Sequence, residues 1–171
     1  RARFHLASAM GASPEEIYFT SGGTEGDNTV LFSAFFSKIR HIIIGATEHD
    51  AVLAPTKRLS ELGVIVDYVK PDSRGRITAD AVSALLREET GLVSVMHVNN
   101  ETGIIQDISG ISRMLRSSGS KAVLHTDAVQ SFLKTESKLS SLGADIVTVS
   151  AHKIHGIKGA GAIYLRKGTR L

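Results

Sequence analysis

The residues with chemical potential in this 171-residue sequence stand in short polar clusters, each directly after a run of β-branched and other apolar residues. In Ser21-Gly22-Gly23-Thr24-Glu25-Gly26-Asp27-Asn28, paired glycines and a hydroxyl fall where a helix is expected to begin. Free backbone N–H groups and the positive end of a helix dipole make such a turn a cradle for an anion, and glycine lets a phosphate approach closely. A tight strand-to-helix turn with Thr24 as an ordinary N-cap accounts for the same residues. The spacing is not that of G-x-G-x-x-G, and the Gly-Lys-Ser/Thr of a P-loop is missing. Asp127 follows Val123-Leu124-His125-Thr126, which places a carboxylate at the end of an apolar strand. Burial there requires a hydrogen-bonding or cationic partner, such as a protonated ring nitrogen; the alternative is an N-cap for the segment Ala128–Phe132. Lys153, after His152 and before Gly156, Gly159 and Gly161, is either a solvated charge or, in a confined apolar pocket, an amine able to form a Schiff base. His49 is either a capping residue or a general acid–base.

Such clusters need elements to aim them. Apolar runs rich in Ile and Val predict strands at Ile17–Thr20, His41–Ala46, Val64–Val69, Leu92–Val98, Ala122–Thr126, Ile146–Val149 and Ala162–Leu165. Several are apolar on consecutive residues, as strands buried on both faces should be. Helical spacing predicts helices over Thr24–Lys38 (Leu31, Ala34 and Phe35 on one stripe), Asp50–Leu62, Thr78–Glu88 with Thr78 as N-cap, and Asp107–Ser118 with Asp107 as N-cap. Gly63 and Gly119 stand where a helix C-cap favours a left-handed residue. The alternation implies an α/β fold: one mostly parallel sheet with helices on both faces. In such a sheet ligands bind outside the carboxyl ends of the strands, which is where every cluster falls, Thr47-Glu48-His49-Asp50 and Asn99-Asn100-Glu101-Thr102-Gly103 included.

Composition sets the outer limits. Lys and Arg number 20 and Asp and Glu 17, a formal net charge of +3, and the basic residues are scattered. That gives little support to a nucleic-acid or anionic-membrane surface. A hydrophobic content of 42% with 22% charged residues fits a globular domain, and no apolar stretch approaches a membrane span. Zero cysteines exclude disulfides, zinc–thiolate sites and a cysteine nucleophile within these residues. The start at Arg1 and the stop at Leu171, just after a strand-like run, read as a fragment.

Taken in order, Thr20-Ser-Gly-Gly-Thr-Glu-Gly-Asp-Asn28, Ala46-Thr-Glu-His-Asp-Ala-Val52, His97-Val-Asn-Asn-Glu-Thr-Gly103, His125-Thr-Asp-Ala-Val-Gln130 and Ser150-Ala-His-Lys-Ile-His-Gly156 closely resemble the large domain of the pyridoxal-phosphate-dependent cysteine desulfurases of the nitrogen-fixation and iron–sulfur-assembly type. The wider group is the class V aminotransferase family, with the three-layer fold type I architecture. The resemblance runs from Ile17 through Leu165, so residues 1–171 are expected to form part of the large, cofactor-binding domain, without the family's N-terminal segment and small domain.

The resemblance implies roles. Lys153 would carry pyridoxal 5′-phosphate and later move protons, and Asp127 would pair with the pyridinium nitrogen so that the ring acts as an electron sink. Gln130 would hydrogen-bond the phenolic oxygen, and His49 would stack on the ring and take part in proton transfer. Gly23, Thr24, Ser150 and His152 would hold the phosphate, and Asn100 would orient the substrate carboxylate. L-Cysteine would be the substrate, a sulfur-acceptor or scaffold protein the partner, a homodimer the assembly, and the cytoplasm or an organelle matrix the setting. Ile157 departs from the proline usual in the turn after the lysine. Selenocysteine lysis or another class V transformation is a second reading, and a non-catalytic α/β domain for a phosphate-bearing ligand a third.

Overall fold

The computed structural model describes residues 1–135 and 138–170. Its elements in chain order are α1 (Ala2–Met10), β1 (Ile17–Thr20), α2 (Gly23–Phe36), β2 (His41–Gly45), α3 (Asp50–Glu61), β3 (Ile65–Val69), α4 (Ala79–Ser83), β4 (Thr90–Ser94), α5 (Ile108–Ser117), β5 (Val123–Asp127), β6 (Ile146–Ser150) and β7 (Gly161–Leu165). The strands form one seven-stranded sheet in the order β1-β7-β6-β5-β4-β2-β3. Strands β3, β2, β4, β5 and β6 run parallel, while β7 is antiparallel to both β6 and β1. Two reversals restore direction, so β1 runs parallel to β6 and its carboxyl end lies at the same edge as those of the parallel set.

Consecutive strand residues face opposite layers, as the pleat requires. Ile42, Ile44, Leu92 and Ile146 pack with Val30, Leu31 and Ala34 of α2 and Val52 and Leu59 of α3. Ile43, Val93 and Val147 pack on the other face with Ala7 and Met10 of α1, Val82 of α4, and Ile111 and Leu115 of α5. Helices therefore cover both faces, as the alternation of elements predicts. Thr78 and Asp107 cap as expected, accepting the N–H groups of Ala81 and Gly110 at 3.2 and 2.8 Å. Gly63 and Gly119 are left-handed, with φ of 92° and 72°.

Several expectations need correcting. The helix expected over Thr78–Glu88 stops at Ser83. Thr90 Oγ1 accepts the Arg87 N–H at 2.8 Å and bonds His41 Nδ1 at 2.7 Å, which turns the chain into β4 instead of prolonging the helix. The strand expected over Leu92–Val98 spans Thr90–Ser94, and beyond it the chain diverges until Val98 bridges Ile105. Burial on both faces holds for β2 and β6 but not for the edge strands, where Ile65 and Tyr68 of β3 and Tyr18 and Phe19 of β1 are exposed. Helix α1 carried no sequence signal strong enough to predict it.

Candidate functional site

The carboxyl edge of the sheet holds a cleft of about 280 Å³ lined by Gly23, Thr24, His49, Asn100, Asp127, Gln130, Ser150, His152 and Lys153. Every site residue expected from the sequence is there. Asp27, Ala51, Met96 and Val129, which the sequence reading passed over, complete its walls. A neighbouring hollow of about 580 Å³ shares His49 and Asn100 and extends past Glu48 and Pro71.

One wall is the start of α2. Its N-cap is Gly22, without a side-chain cap, so the ordinary N-cap reading of Thr24 fails: Thr24 lies in the first turn. The first N–H groups of a helix have no partner within it and face outward. The turn is pinned from outside by the Ser21 N–H, which donates to Glu25 Oε2 at 2.7 Å. Glycine is required at this corner because of its neighbours. A Cβ on Gly23 would meet Val129 Cγ2 at 2.7 Å, and a Cβ on Gly161 of β7 would meet Gly22 Cα at 2.7 Å. Ser150, fully buried at the end of β6, lies beside this corner, and its hydroxyl is hydrogen-bonded with His152 Nδ1 at 2.8 Å. Lys153 follows in the 3-10 turn Ala151–Ile154 and is exposed at the rim of the cleft.

The opposite wall comes from β5 and α3. Asp127 is buried, with Oδ1 accepting the Val129 N–H at 2.8 Å. No helix forms over Ala128–Phe132, so the capping alternative for Asp127 gives way to a side chain that braces its own turn and lines the cleft. Burial raises its carboxyl above the ordinary range, against the Val129 N–H and the nearby His49, which lower it. His49 does both things considered for it. It caps α3, its Nδ1 accepting the Ala51 N–H at 3.0 Å, and it lines the cleft. Because Nδ1 accepts, the ring proton resides on Nε2. Asn28 ties the two walls, its amide donating to Thr24 O at 2.8 Å and to Ala51 O at 3.1 Å, so the helix starts carrying Thr24 and His49 are held together.

Behind the cleft lies a buried polar layer. His125 is hydrogen-bonded through Nδ1 with Ser94 Oγ at 2.8 Å and through Nε2 with Thr148 Oγ1 at 3.0 Å, and burial pushes it down to about 3, so the ring is neutral. Glu48 is buried, with Oε1 accepting the Met96 N–H at 2.6 Å and the other oxygen without a hydrogen-bond partner among the described residues, and burial raises it well above the usual carboxylate range. Asp27 stands in the cluster after β1 but was given no role there, because it falls within α2 and not in the turn that starts it. Its signal was a charge on the apolar stripe of α2, four residues before Leu31.

The class-V aminotransferase family model matches residues 1–170. The cysteine desulfurase IscS of Serratia proteamaculans is 46% identical over 99% of the chain and that of Vibrio vulnificus 44%, each match covering 42% of the relative. The chain thus spans less than half the length of these relatives. Among solved structures, a NifS-like protein superposes with a TM-score of 0.92 at 40% identity, covering 99% of this chain and 47% of that one. DndA from Streptomyces lividans superposes with a TM-score of 0.87 at 42% identity, covering 97% and 47%. The match extends through both walls of the cleft and the sheet that carries them, and the chain belongs to the class-V aminotransferase family.

Proposed function

We propose that this chain forms the pyridoxal-phosphate-binding part of a cysteine desulfurase, which takes sulfur from L-cysteine for iron–sulfur or thio-cofactor assembly and leaves alanine. The observation that carries this is the convergence of Lys153, Asp127 and the α2 cradle on one cleft. The cofactor of this family is pyridoxal 5′-phosphate, and the donor set fits it. A phosphate-bearing cationic ring with an aldehyde needs free N–H groups at a helix start, a buried carboxyl and an amine, and the cleft brings all of these together. A solved relative described as SspA in complex with cysteine is 36% identical with a TM-score of 0.92, covering 97% of this chain and 48% of that one, which supports the choice of substrate.

When bound, the cofactor supplies an electron sink next to the substrate's α-carbon. The chain's residues do the rest. Gly23, Thr24, Ser150 and His152 would hold the phosphate. Asp127 would keep a proton on the ring nitrogen, and Gln130 would donate to the phenolic oxygen. His49, with its proton on Nε2, would lie against the ring and give or take a proton, Lys153 would anchor the cofactor and move protons, and Asn100 would orient the substrate carboxylate. In the overall change the carbon–sulfur bond of L-cysteine breaks and a sulfur–sulfur bond forms on an acceptor thiolate. As part of this reading the chain pairs with a second copy, which sedimentation equilibrium tests, and works in the cytoplasm or an organelle matrix.

The decisive experiment is reduction with borohydride after addition of pyridoxal phosphate, followed by peptide mass spectrometry. The pyridoxyl mass is expected on the peptide containing Lys153. An adduct on Lys158 or Lys134 instead, or none, overturns the assignment.

A further inference from the structure

Asp27 is the least exposed acid among the described residues, at 1% exposure, and it lines the same cleft as Asp127. Both of its carboxyl oxygens are shut off from solvent, and neither makes a hydrogen bond among the described residues. The Thr148 hydroxyl, which is hydrogen-bonded with His125 Nε2, acts to lower the Asp27 carboxyl but brings no charge to it. His125 Nε2 itself lies 3.5 Å from Asp27 Oδ1, the spacing of an ion pair. It is not one. Both ring nitrogens of His125 are in hydrogen bonds with hydroxyls, and burial keeps the ring neutral, so it brings no positive charge to Asp27.

The groups that surround Asp27 make an anion harder to hold there. From β5 it meets His125 and Asp127, and from β6 the uncharged Thr148. Glu48, between β2 and α3, is a further buried acid coupled to it. His49, His152 and Lys153 share the cleft, but all three are exposed at its rim. An ionised carboxylate without a partner in such surroundings is strongly disfavoured, and the group keeps its proton instead. Burial and the neighbouring Asp127 act in the same direction, raising the Asp27 carboxyl well above the usual range.

We propose that Asp27 is a positioning residue that stays protonated and so leaves Asp127 as the single negative charge on the inner wall of the cleft. The protonation follows from the wall itself. Its use, which is to give a cationic ring nitrogen one counter-ion at one place, rests on the cofactor reading above. An ionised Asp27 would offer the ring a second anion in the same cleft and spread the attraction between two positions.

The test is carboxyl-carbon NMR of the chain labelled at aspartate, titrated from pH 4 to 10, with the Asp27 resonance assigned by its loss in Asp27→Asn. Asp27 is expected in its protonated position at pH 7, far from the ordinary aspartate midpoint of about 3.9. In Asp127→Asn, with the like charge removed, the Asp27 midpoint should fall by about one pH unit or more. An Asp27 midpoint near about 4 in the unaltered chain would overturn the proposal, and so would a midpoint that does not move in Asp127→Asn. If the Asp127 variant fails to fold, the unaltered chain still decides, since the first outcome needs no variant. A protonated, Asp127-coupled Asp27 in a chain that takes no borohydride adduct on Lys153 upholds the protonation and the single charge on the wall, and removes the use assigned to them together with the cofactor reading.

Discussion

Lys134 Nζ donates to Gln130 Oε1 at 3.1 Å, one turn further along the loop that leaves β5. An ammonium has donors only, so the partner atom must be the amide oxygen, and the Gln130 NH₂ is left for the cleft. The contact therefore decides which end of Gln130 a ligand meets: a donor, suited to a phenolic oxygen that carries negative charge. Lys134→Met should loosen that choice. An exposed contact of this kind is worth about 0.2–1 kcal/mol, so pyridoxal phosphate should bind roughly 1.4- to 5-fold more weakly. Lys134→Arg, which also only donates, should retain most of the affinity. Equal affinity in the methionine variant, read by absorbance titration, would show that Gln130 orients itself.

Gly161 marks the closest approach of backbone to backbone around the cradle. A Cβ there would lie 2.7 Å from Gly22 Cα and 2.8 Å from both Gly22 C and Val149 O. None of these atoms can rotate away, unlike a side-chain tip. Gly161→Ala should therefore destabilise the fold by about 1–3 kcal/mol through overpacking. It should also push the Gly22–Gly23 turn off Ser150 and weaken phosphate binding. Urea unfolding and a pyridoxal phosphate titration read the two effects separately, and a variant as stable as the parent would show that the turn yields freely.

The buried acids give stability a direction with pH. Asp27 and Glu48 are held above the usual carboxylate range by burial, so the folded chain keeps protons that the unfolded chain releases above about pH 4. Wherever the folded state binds more protons, stability falls as pH rises. His125, pushed down to about 3, acts oppositely: below about pH 6.5 the unfolded chain binds the extra proton, and stability falls as pH drops. Above about pH 6.5 the His125 contribution has ended and the acids' contribution remains. Urea unfolding between pH 6.5 and 8.5 should show a decline of up to about 1.4 kcal/mol per pH unit for each acid still protonated. Glu48→Gln cannot ionise and should lessen that decline, leaving the part due to Asp27; an unaltered slope would mean that Glu48 is already charged.

The chain contains no cysteine, so no thiolate of its own can receive sulfur. With pyridoxal phosphate bound, added L-cysteine should change the visible spectrum, yet sustained alanine formation should appear only with an external thiol. Lys153→Ala should abolish both responses. Multiple turnovers without any thiol would contradict the sulfur-transfer scheme.

The layers of the fold were legible because Ile42, Ile43 and Ile44 can be consecutive and apolar only if both faces of a strand are covered. The cleft was legible for a related reason: a parallel sheet aims all its strand ends at one edge, so listing the residues after each strand lists the site. The antiparallel insertion of β7 was harder to see. Its trace was the connection between Ser150 and Gly161, which is too short to hold the crossover helix that a parallel return needs. Asp27 escaped for the opposite reason from Asp127: both are buried acids, but only one ends a strand.

The place of β7 between β1 and β6 also imposes an order on events. Among the described residues β1 pairs only with β7, so residues 17–20 have no ladder until residues 161–165 exist. On a ribosome the parallel strands β2 to β6 can assemble while the chain is still growing, whereas the turn at Gly22–Gly23 stays unsupported until Gly161 slides beneath it. Joining segments so far apart in sequence is the slow step of such topologies. The corner proposed to hold the phosphate is thus finished only after β7 joins the sheet, and a chain paused before Gly161 lacks the backbone on which that corner rests.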